Sequence, residues 1–329
     1  MGRVMVTGGK GFLGTHLVRR LLADGQEVRV FAHRGSKQGE ASPAITECEV
    51  IWGDIRNLPD VEQAVKGVEK IFHLVSNFRK GGSDKTDAYA VNVEGTKNVL
   101  GAAKKYGVGR VVHCSTIGVH GDVQSIPAHE ETPFNPTDLY QETKLLAEQY
   151  VWKFHQETGL PISVVRPISL YGPEDLRMLK LFRTIKKRQF IYIGQGNVLF
   201  HPAYIDDVIE GFLLCASHEK AVGEAFIIGG DGYLPLHDLV DRISAQLQVP
   251  APSMHIPLRP VEWLAGLCES VCTPLGIEPP LHKRRVSFFK NNRAFSIEKV
   301  KRVLGYAPRV SLEEGLKRTI RWYEDHGLL

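Results

Sequence analysis

Tyr140 and Lys144 stand four residues apart in this chain of 329 residues, a spacing that puts both side chains on one face of a helix. A free tyrosine has a pKa of about 10, too high for an efficient base at neutral pH. A nearby ammonium favours the phenolate and lowers that value, and every tenfold gain in acidity corresponds to about 1.4 kcal/mol. Such a pair can exchange a proton with a substrate hydroxyl. Y-x-x-x-K recurs by chance on surface helices, so it becomes informative only beside a second motif. That motif is Thr7-Gly8-Gly9-Lys10-Gly11-Phe12-Leu13-Gly14, which follows an apolar strand and opens a helix. Gly8 permits the tight turn, Gly11 lets backbone approach a pyrophosphate, and Gly14 lets helix pack on strand. The helix N-terminus then presents N–H groups and a positive dipole end to phosphates. A dinucleotide cofactor and hydride transfer are the chemistry expected.

The end of the second strand bears on which dinucleotide. An acidic residue about 20 positions after the loop would hold the adenine ribose hydroxyls. The chain instead reads Ala32-His33-Arg34-Gly35-Ser36. Arg34 can grip a 2′-phosphate with a fork of donors, with His33 and Ser36 assisting. NADP(H) is therefore favoured and NAD(H) is possible.

The elements that must position these residues alternate. Strands are expected at Arg3–Thr7, 27–32, Glu49–Trp52, 70–75 and 110–115, with helices at 14–23, 61–68, 91–106 and 139–155. This alternation predicts an α/β chain with a Rossmann-type, doubly wound parallel sheet. Residues 1–165 form the dinucleotide-binding part, and the sheet is completed by about 203–230, where Ala225–Ile228 reads as a buried strand. Residues 166–202 and 231–329, richer in Pro and Gly, suit a smaller, mixed substrate-binding lobe over the carboxyl ends of the strands. Val261, Leu264, Leu267, Cys268 and Val271 fall on one helical face, expected to pack in the core or at a lobe interface. Glu262 and Glu269 supply none of the basic polar face of a membrane-surface helix.

Composition narrows the classes. Lys and Arg exceed Asp and Glu by four, so basic runs such as Lys186-Lys187-Arg188 and Lys283-Arg284-Arg285 read as solvated faces, and no nucleic-acid partner is expected. No apolar run of about 18 residues exists to span a membrane. The first residues run directly into a strand, Arg3-Val4-Met5-Val6, so no secretory leader is expected. Five scattered cysteines suggest neither a disulfide framework nor a metal site; Cys268 and Cys272 are expected in the core. A cytoplasmic protein without a metal is expected.

The chain resembles, from end to end, the extended short-chain dehydrogenase/reductase family, also called the NAD-dependent epimerase/dehydratase family. The resemblance is carried by the glycine loop, Gly53-Asp54-Ile55, Phe72-His73-Leu74-Val75, Val91-Asn92-Val93-Glu94-Gly95-Thr96, the Tyr140/Lys144 pair, Arg166-Pro167 with Leu170-Tyr171-Gly172-Pro173, and Tyr204-Ile205-Asp206-Asp207-Val208. It implies cofactor contacts at Gly8, Gly11, Phe12, Leu13 and Gly14, at Asp54 and Ile55 beside the adenine, and at Leu74, Val75 and Asn92. Cys114, Pro167 and Ile168 would join Tyr140 and Lys144 near the nicotinamide. Cys114-Ser115-Thr116 before Val119-His120-Gly121 resembles the family's catalytic serine/threonine segment and places Thr116 at the catalytic hydroxyl, with Ser115 its neighbour. His120 stands where a Tyr is common and reads as a pocket wall. A homodimer through the helices at 91–106 and 139–155 is also implied.

Sugar-nucleotide members of the family usually carry an Asn after the Arg-Pro segment and an Arg before the late motif. The corresponding residues here are Ser169 and Phe200, with His201 adjacent. The tail, from Pro279-Pro280-Leu281 through Phe295-Ser296-Ile297-Glu298-Lys299 to Leu304-Gly305-Tyr306, resembles 3β-hydroxysteroid dehydrogenase-like and dihydroflavonol-reductase-like members. A dehydrogenase/reductase of a secondary alcohol or ketone, sterol-like or another small hydroxy or keto compound, is therefore expected, with Arg79, Ser115, Ser169 and His201 as candidate substrate residues. Nucleotide-sugar 4-epimerisation or dehydration is the alternative, although Ile117 stands where a dehydratase would place an acid. A non-catalytic dinucleotide sensor is a minor third reading.

Overall fold

The computed structural model describes residues 2–35, 43–77, 85–272, 281 and 286–329. Short, nearly continuous apolar runs become strands β1 (Arg3–Thr7), β2 (Val28–Ala32), β3 (Glu49–Trp52), β4 (Val68–His73), β5 (Arg110–Cys114) and β6 (Ile162–Pro167). Short strands follow: β7 (Ser169–Tyr171), β8 (Tyr192–Ile193), β9 (Leu199–Phe200), β10 (Pro202–Tyr204), β11 (Ala225–Ile228), β12 (Leu234–Pro235) and β13 (His255–Ile256). The main sheet has seven strands in the order β11–β6–β5–β4–β1–β2–β3. Every pairing in it is parallel, with Val6 opposite Val30 on one side and Phe72 on the other. The strand order reverses between β1 and β4, where a crevice opens for a ligand. This is the doubly wound Rossmann-type sheet expected.

Alternation along β1 builds both sides of the core. Val4 and Val6 pack with Leu17, Val18 and Leu21 of helix α1 (Phe12–Ala23), whereas Met5 faces Val61, Val65, Val99 and Leu100 on the other side. The first cluster runs on without a break into the C-terminal part, taking in Phe182, Leu239, Leu316 and Tyr323.

Two helices depart from expectation. That expected at 61–68 lies at Leu58–Val65, after the short helix α2 (Pro43–Thr46), and is α3. Asn57 caps it through the Asp60 amide and Pro59 sits in its first turn, while Val68 already belongs to β4. The helix expected at 91–106 is broken into α4 (Lys85–Tyr89), a wide π turn at Ala90–Glu94, and α5 (Gly95–Lys105). α6 spans Leu139–Thr158, started by Asp138 capping the Gln141 amide and ended at Gly159 with φ of 67°.

Beyond α6 come α7 (Leu179–Lys186), α8 (Ile205–Ser217), α9 (Leu236–Gln246) and α10 (Leu258–Cys272), then helices at Glu298–Leu304 and Leu312–Asp325. α10 overturns the expected packing of its apolar face. Leu264, Leu267 and Val271 face solvent, and Cys268 and Cys272 are only half-buried. Ala265 is the one residue of this helix that is fully buried.

Candidate active site

The glycine loop has the shape a diphosphate needs. Gly8 adopts φ of +72°, and its carbonyl accepts from Gly11 N at 3.0 Å. A Cβ on Gly14 would lie 2.2 Å from that same carbonyl oxygen, so only glycine lets α1 approach the loop. No side chain caps α1, which leaves its first-turn N–H groups, those of Phe12, Leu13 and Gly14, available to a ligand. The cradle thus fits the pyrophosphate of a dinucleotide. Leu74 and Val75, at the end of β4, lie directly beside Gly8.

Cations gather where the adenosine end would lie. His33 and Arg34 follow β2 and are exposed. Asp54 is gripped by Arg56, whose Nε donates at 2.9 and 3.0 Å, and this holds the carboxyl below its usual range. His33 Nε2 lies 3.9 Å from Asp54. Lys10 of the glycine loop is buried with its Nζ 4.8 Å from the Trp52 ring centroid. Lys10 and Trp52 went unremarked in the sequence, because β3 had to be paired beside β2 before the two could meet.

The catalytic candidates converge at the N-terminal part of α6. Lys144 is buried and its Nζ donates to Cys114 O at 2.6 Å, anchoring α6 to the end of β5. Burial lowers its pKa, opposed by the charge of Glu148. Thr116 caps the short turn after β5 by accepting from Gly118 N at 3.0 Å. A Cβ on Gly118 would meet Gln141 Cγ at 3.0 Å and Thr116 Oγ1 at 3.3 Å, so Gly118 is where the turn after β5 approaches α6. Tyr140 is half-buried. The Lys144–Cys114 bond thus joins the two segments that carry the three residues, the turn after β5 with Thr116 and the first turns of α6 with Tyr140 and Lys144.

Asn92 braces this locality. Its Oδ1 accepts from Asn77 N at 2.7 Å and its Nδ2 donates to Thr143 Oγ1 at 2.8 Å. Thr143 in turn donates to Tyr140 O at 3.0 Å. The amide of Asn92, expected to meet the cofactor, is committed at both ends to protein partners.

Behind the pair lies a buried ionic network. Glu148, one turn beyond Lys144, accepts from Ser115 Oγ at 2.5 Å and from Arg166 Nε at 3.1 Å, and also pairs with Arg166 Nη2. Arg166 Nη1 reaches Glu130 O at 2.8 Å and His120 Nε2 at 3.2 Å. The network holds the residues flanking Thr116 against α6 and the end of β6. Ser115 and His120 are thus internal, and His120 packs against Phe134 and Phe295. Glu148 sits at i+4 and i+8 from Lys144 and Tyr140, a spacing legible in the sequence; its partners were not.

Two histidines lie beneath. Thr96 donates its hydroxyl to Asn92 O at 2.7 Å, so at 3.0 Å it accepts from His73 Nε2. His73 Nδ1 then accepts from Thr7 Oγ1 at 2.8 Å. This arrangement fixes a neutral ring, and burial followed by the Lys144 charge holds its pKa at about 3. His113, its ring centroid 5.4 Å from that of His73, is pushed well below the ordinary range by the same causes and has no hydrogen-bond partner on either nitrogen.

Of the other candidate residues, Ile55 and Ile168 are buried, Pro167 ends β6, and burial raises the Cys114 thiol to about 11. Ser169 is half-buried at the start of β7. His201 is buried, with Nε2 2.9 Å from Gly230 O, so it is held in the packing. Arg79 and Ser36 lie outside the described residues. Among the described residues no group of three His, Cys, Asp or Glu side chains could hold a metal, and no helix is long and apolar enough to cross a membrane.

Comparison with known proteins agrees with this geometry. A 3-beta-hydroxysteroid dehydrogenase of Mycolicibacterium neoaurum is 32% identical over 99% of this chain and 92% of its own length. A decarboxylating sterol-4-alpha-carboxylate 3-dehydrogenase of Bos taurus is 33% identical over 97% of this chain and 92% of its own. Among solved structures, a dTDP-glucose 4,6-dehydratase of Streptomyces venezuelae with NAD bound superposes with a TM-score of 0.80 at 26% identity, covering 98% and 97% of the two chains. The model of the NAD dependent epimerase/dehydratase family matches residues 4–229. With the parallel sheet, the glycine cradle and the Tyr140/Lys144 pair in place, the chain belongs to the NAD dependent epimerase/dehydratase family, whose members are NAD(P)-dependent enzymes.

Proposed function

We propose that this protein is a cytoplasmic, NADP(H)-favouring dehydrogenase/reductase that interconverts a secondary alcohol and a ketone on a sterol-like or comparably apolar skeleton. The observation that supports it is the hydrogen bond from Lys144 Nζ to Cys114 O, which ties α6, the helix that carries Tyr140, to the end of β5 two residues before Thr116. The bound nicotinamide supplies the hydride acceptor or donor at its C4. In the oxidising direction Tyr140 takes the hydroxyl proton as the carbinol hydride leaves. Thr116 holds the substrate oxygen, and Lys144 favours the phenolate and steadies the cofactor ribose. In the reducing direction Tyr140 returns the proton. Acid–base catalysis of this kind contributes about 10²–10⁴-fold, so Tyr140→Phe is expected to lose that factor in kcat. A Tyr140→Phe protein with near-normal turnover overturns the reading.

An apolar substrate is favoured over a nucleotide sugar by Phe200. It is buried with its ring 5.7 Å from that of Phe288, at the chain position where a sugar-nucleotide enzyme would be expected to carry an Arg. Buried Ile117 likewise offers no acid for dehydration. The relatives named for hydroxysteroids and sterol carboxylates support the same choice. The alternative, nucleotide-sugar epimerisation, requires NAD to stay bound through turnover, so stoichiometric NAD released from denatured protein would select it.

The preference for NADP(H) rests on Arg34, which is exposed and has no ion-pair partner among the described residues. Arg34→Ser is expected to weaken NADPH at least about tenfold while leaving NADH unchanged, read by nucleotide fluorescence titration. A homodimer paired through α5 and α6 is the proposed assembly, tested by sedimentation.

A further inference from the structure

The loop between β7 and α7, residues 172–177, is strapped to α1, the helix that opens at the glycine cradle. His16 Nε2 donates to Pro173 O at 3.1 Å, and Arg19 pairs with Glu174. Glu174 adopts φ of 71°, a left-handed conformation that a residue other than glycine keeps only where its surroundings hold it. Asp175 is fully buried, and its carbonyl accepts from Tyr323 Oη. A mere connection between a strand and a helix does not require so many anchors.

The side chain these anchors fix is Arg177. Its Nε donates to Asp175 Oδ1 at 2.7 Å, and its Nη2 donates to Asp175 Oδ2 at 3.0 Å and to Leu170 O at 3.2 Å. Nη1 has no hydrogen-bond partner among the described residues, and the side chain is 31% exposed. The guanidinium carbon lies 4.7 Å from the centroid of the Phe12 ring. Two landmarks therefore bracket this group. Phe12 is the first residue of α1, and its N–H belongs to the cradle. Leu170 follows Ile168 by two residues, in the segment expected beside the nicotinamide. A dinucleotide that runs from the cradle to that segment carries its pyrophosphate and nicotinamide ribose through the interval that Arg177 spans.

The surrounding charges favour an anion there. α1 has no acidic residue in its first turn and no side-chain cap. Among the carboxylates at hand, Asp175 has both oxygens on Arg177, Glu174 is held by Arg19, and Asp206 faces His16. A guanidinium already fixed by a buried carboxylate loses little freedom on meeting a phosphate, and offers its donors in a set plane.

We infer that Arg177 is a cofactor-binding residue, whose free Nη1 donates to the pyrophosphate of the bound dinucleotide and completes the glycine cradle from the side of the C-terminal lobe. The inference rests on the dinucleotide reading of the cradle and on no choice of substrate.

Binding to the full chain is measured by NADPH fluorescence and by competition against it. The variants are Arg177→Lys and Asp175→Asn/Arg177→Gln, the second of which strands no buried carboxylate. The double variant should bind 2′-phospho-ADP-ribose, which keeps the pyrophosphate, at least about tenfold more weakly than wild type. It should bind adenosine 2′-monophosphate, which lacks the pyrophosphate, as wild type does. Arg177→Lys, a point charge without the fork, should fall between. A protein that prefers NADH is tested in the same way with ADP-ribose and adenosine. Equal losses on the two ligands, or no loss on either, overturn the inference. So does a raised substrate KM with unchanged nucleotide affinities, which would move Arg177 to the substrate. Gly14→Ala separates this result from the reading beneath it. If that variant too leaves nucleotide binding unmoved, the cradle itself fails; if it weakens binding while the Arg177 variants do not, Arg177 alone is refuted.

Discussion

Acidification tests the buried histidines without any knowledge of substrate. In the unfolded chain each imidazole takes up a proton near pH 6.5. In the folded protein His73 resists until about pH 3 and His120 until about pH 4, burial being the first cause in both and the Lys144 and Arg166 charges the second. His113 moves in the same direction. Between these limits the unfolded state binds more protons, so the stabilising contribution is complete above about pH 6.5 and is lost as pH falls. Each ring costs about 1.4 kcal/mol per pH unit, hence roughly 2 kcal/mol by about pH 5 for each of His73 and His120 and about 4 kcal/mol for the two, with His113 adding in the same direction. A domain stable by about 5–15 kcal/mol would lose much of its margin before most carboxylates titrate. Urea midpoints followed by circular dichroism at stepped pH measure this. His113 makes no hydrogen bond that a substitution would break, so His113→Leu should lose measurably less stability than wild type between pH 7 and 5. Stability flat to within about 1 kcal/mol over that range refutes the reasoning, as does a His113→Leu protein that weakens in parallel with wild type.

The Glu148/Arg166 pair, with side chains 1% and 3% exposed, should behave as a buried ion pair. Glu148→Gln is expected to cost about 3–5 kcal/mol in urea unfolding by stranding the guanidinium, and Glu148→Leu/Arg166→Met to recover most of it. Strictly additive losses in that double-mutant cycle would contradict a direct pairing. In the glycine loop, Gly14→Ala must push α1 away from the Gly8 carbonyl. Cofactor affinity should drop at least about tenfold in a protein that still shows cooperative melting; unchanged nucleotide titration would mean that the loop is not the cradle.

How much of this was legible in the sequence depends on the distance over which each feature is determined. The strands of the main sheet are set by local apolar runs, and the glycine loop by the backbone freedom of Gly8 and the close approach at Gly14; both are readable from neighbours in the chain. Tyr140 and Lys144 are legible for the same reason, since a helix converts a spacing of four into one face. The start of α3 was misplaced by three residues, because Asn57 caps ahead of the first apolar position and Pro59 is tolerated in a first turn. The π turn at Ala90–Glu94 was invisible, since it lies within a pattern that reads as continuous helix.

Side-chain commitments were the harder part. Ser115, Asn92 and His201 are polar residues beside a site, and each is as well suited to a ligand as to a partner in the fold. Their partners are Glu148, Thr143 with Asn77, and Gly230, from 29 to 51 residues away in sequence except for the 15 separating Asn77 from Asn92. The docking of α6 brings Ser115 and Asn92 to Glu148 and Thr143, and His201 meets Gly230 where the residue before β10 lies against the loop after β11. Helix α10 makes the same point about direction. Its periodicity shows that one face is apolar, and the ordinary expectation turns such a face inward. Which way it turns is decided by what else competes for the inner side. Here Lys290 meets Glu262, and Ala265 is the residue small enough to pack. The apolar stripe is left facing outward, so the orientation of one helix, rather than its composition, removes an expected core element from the core.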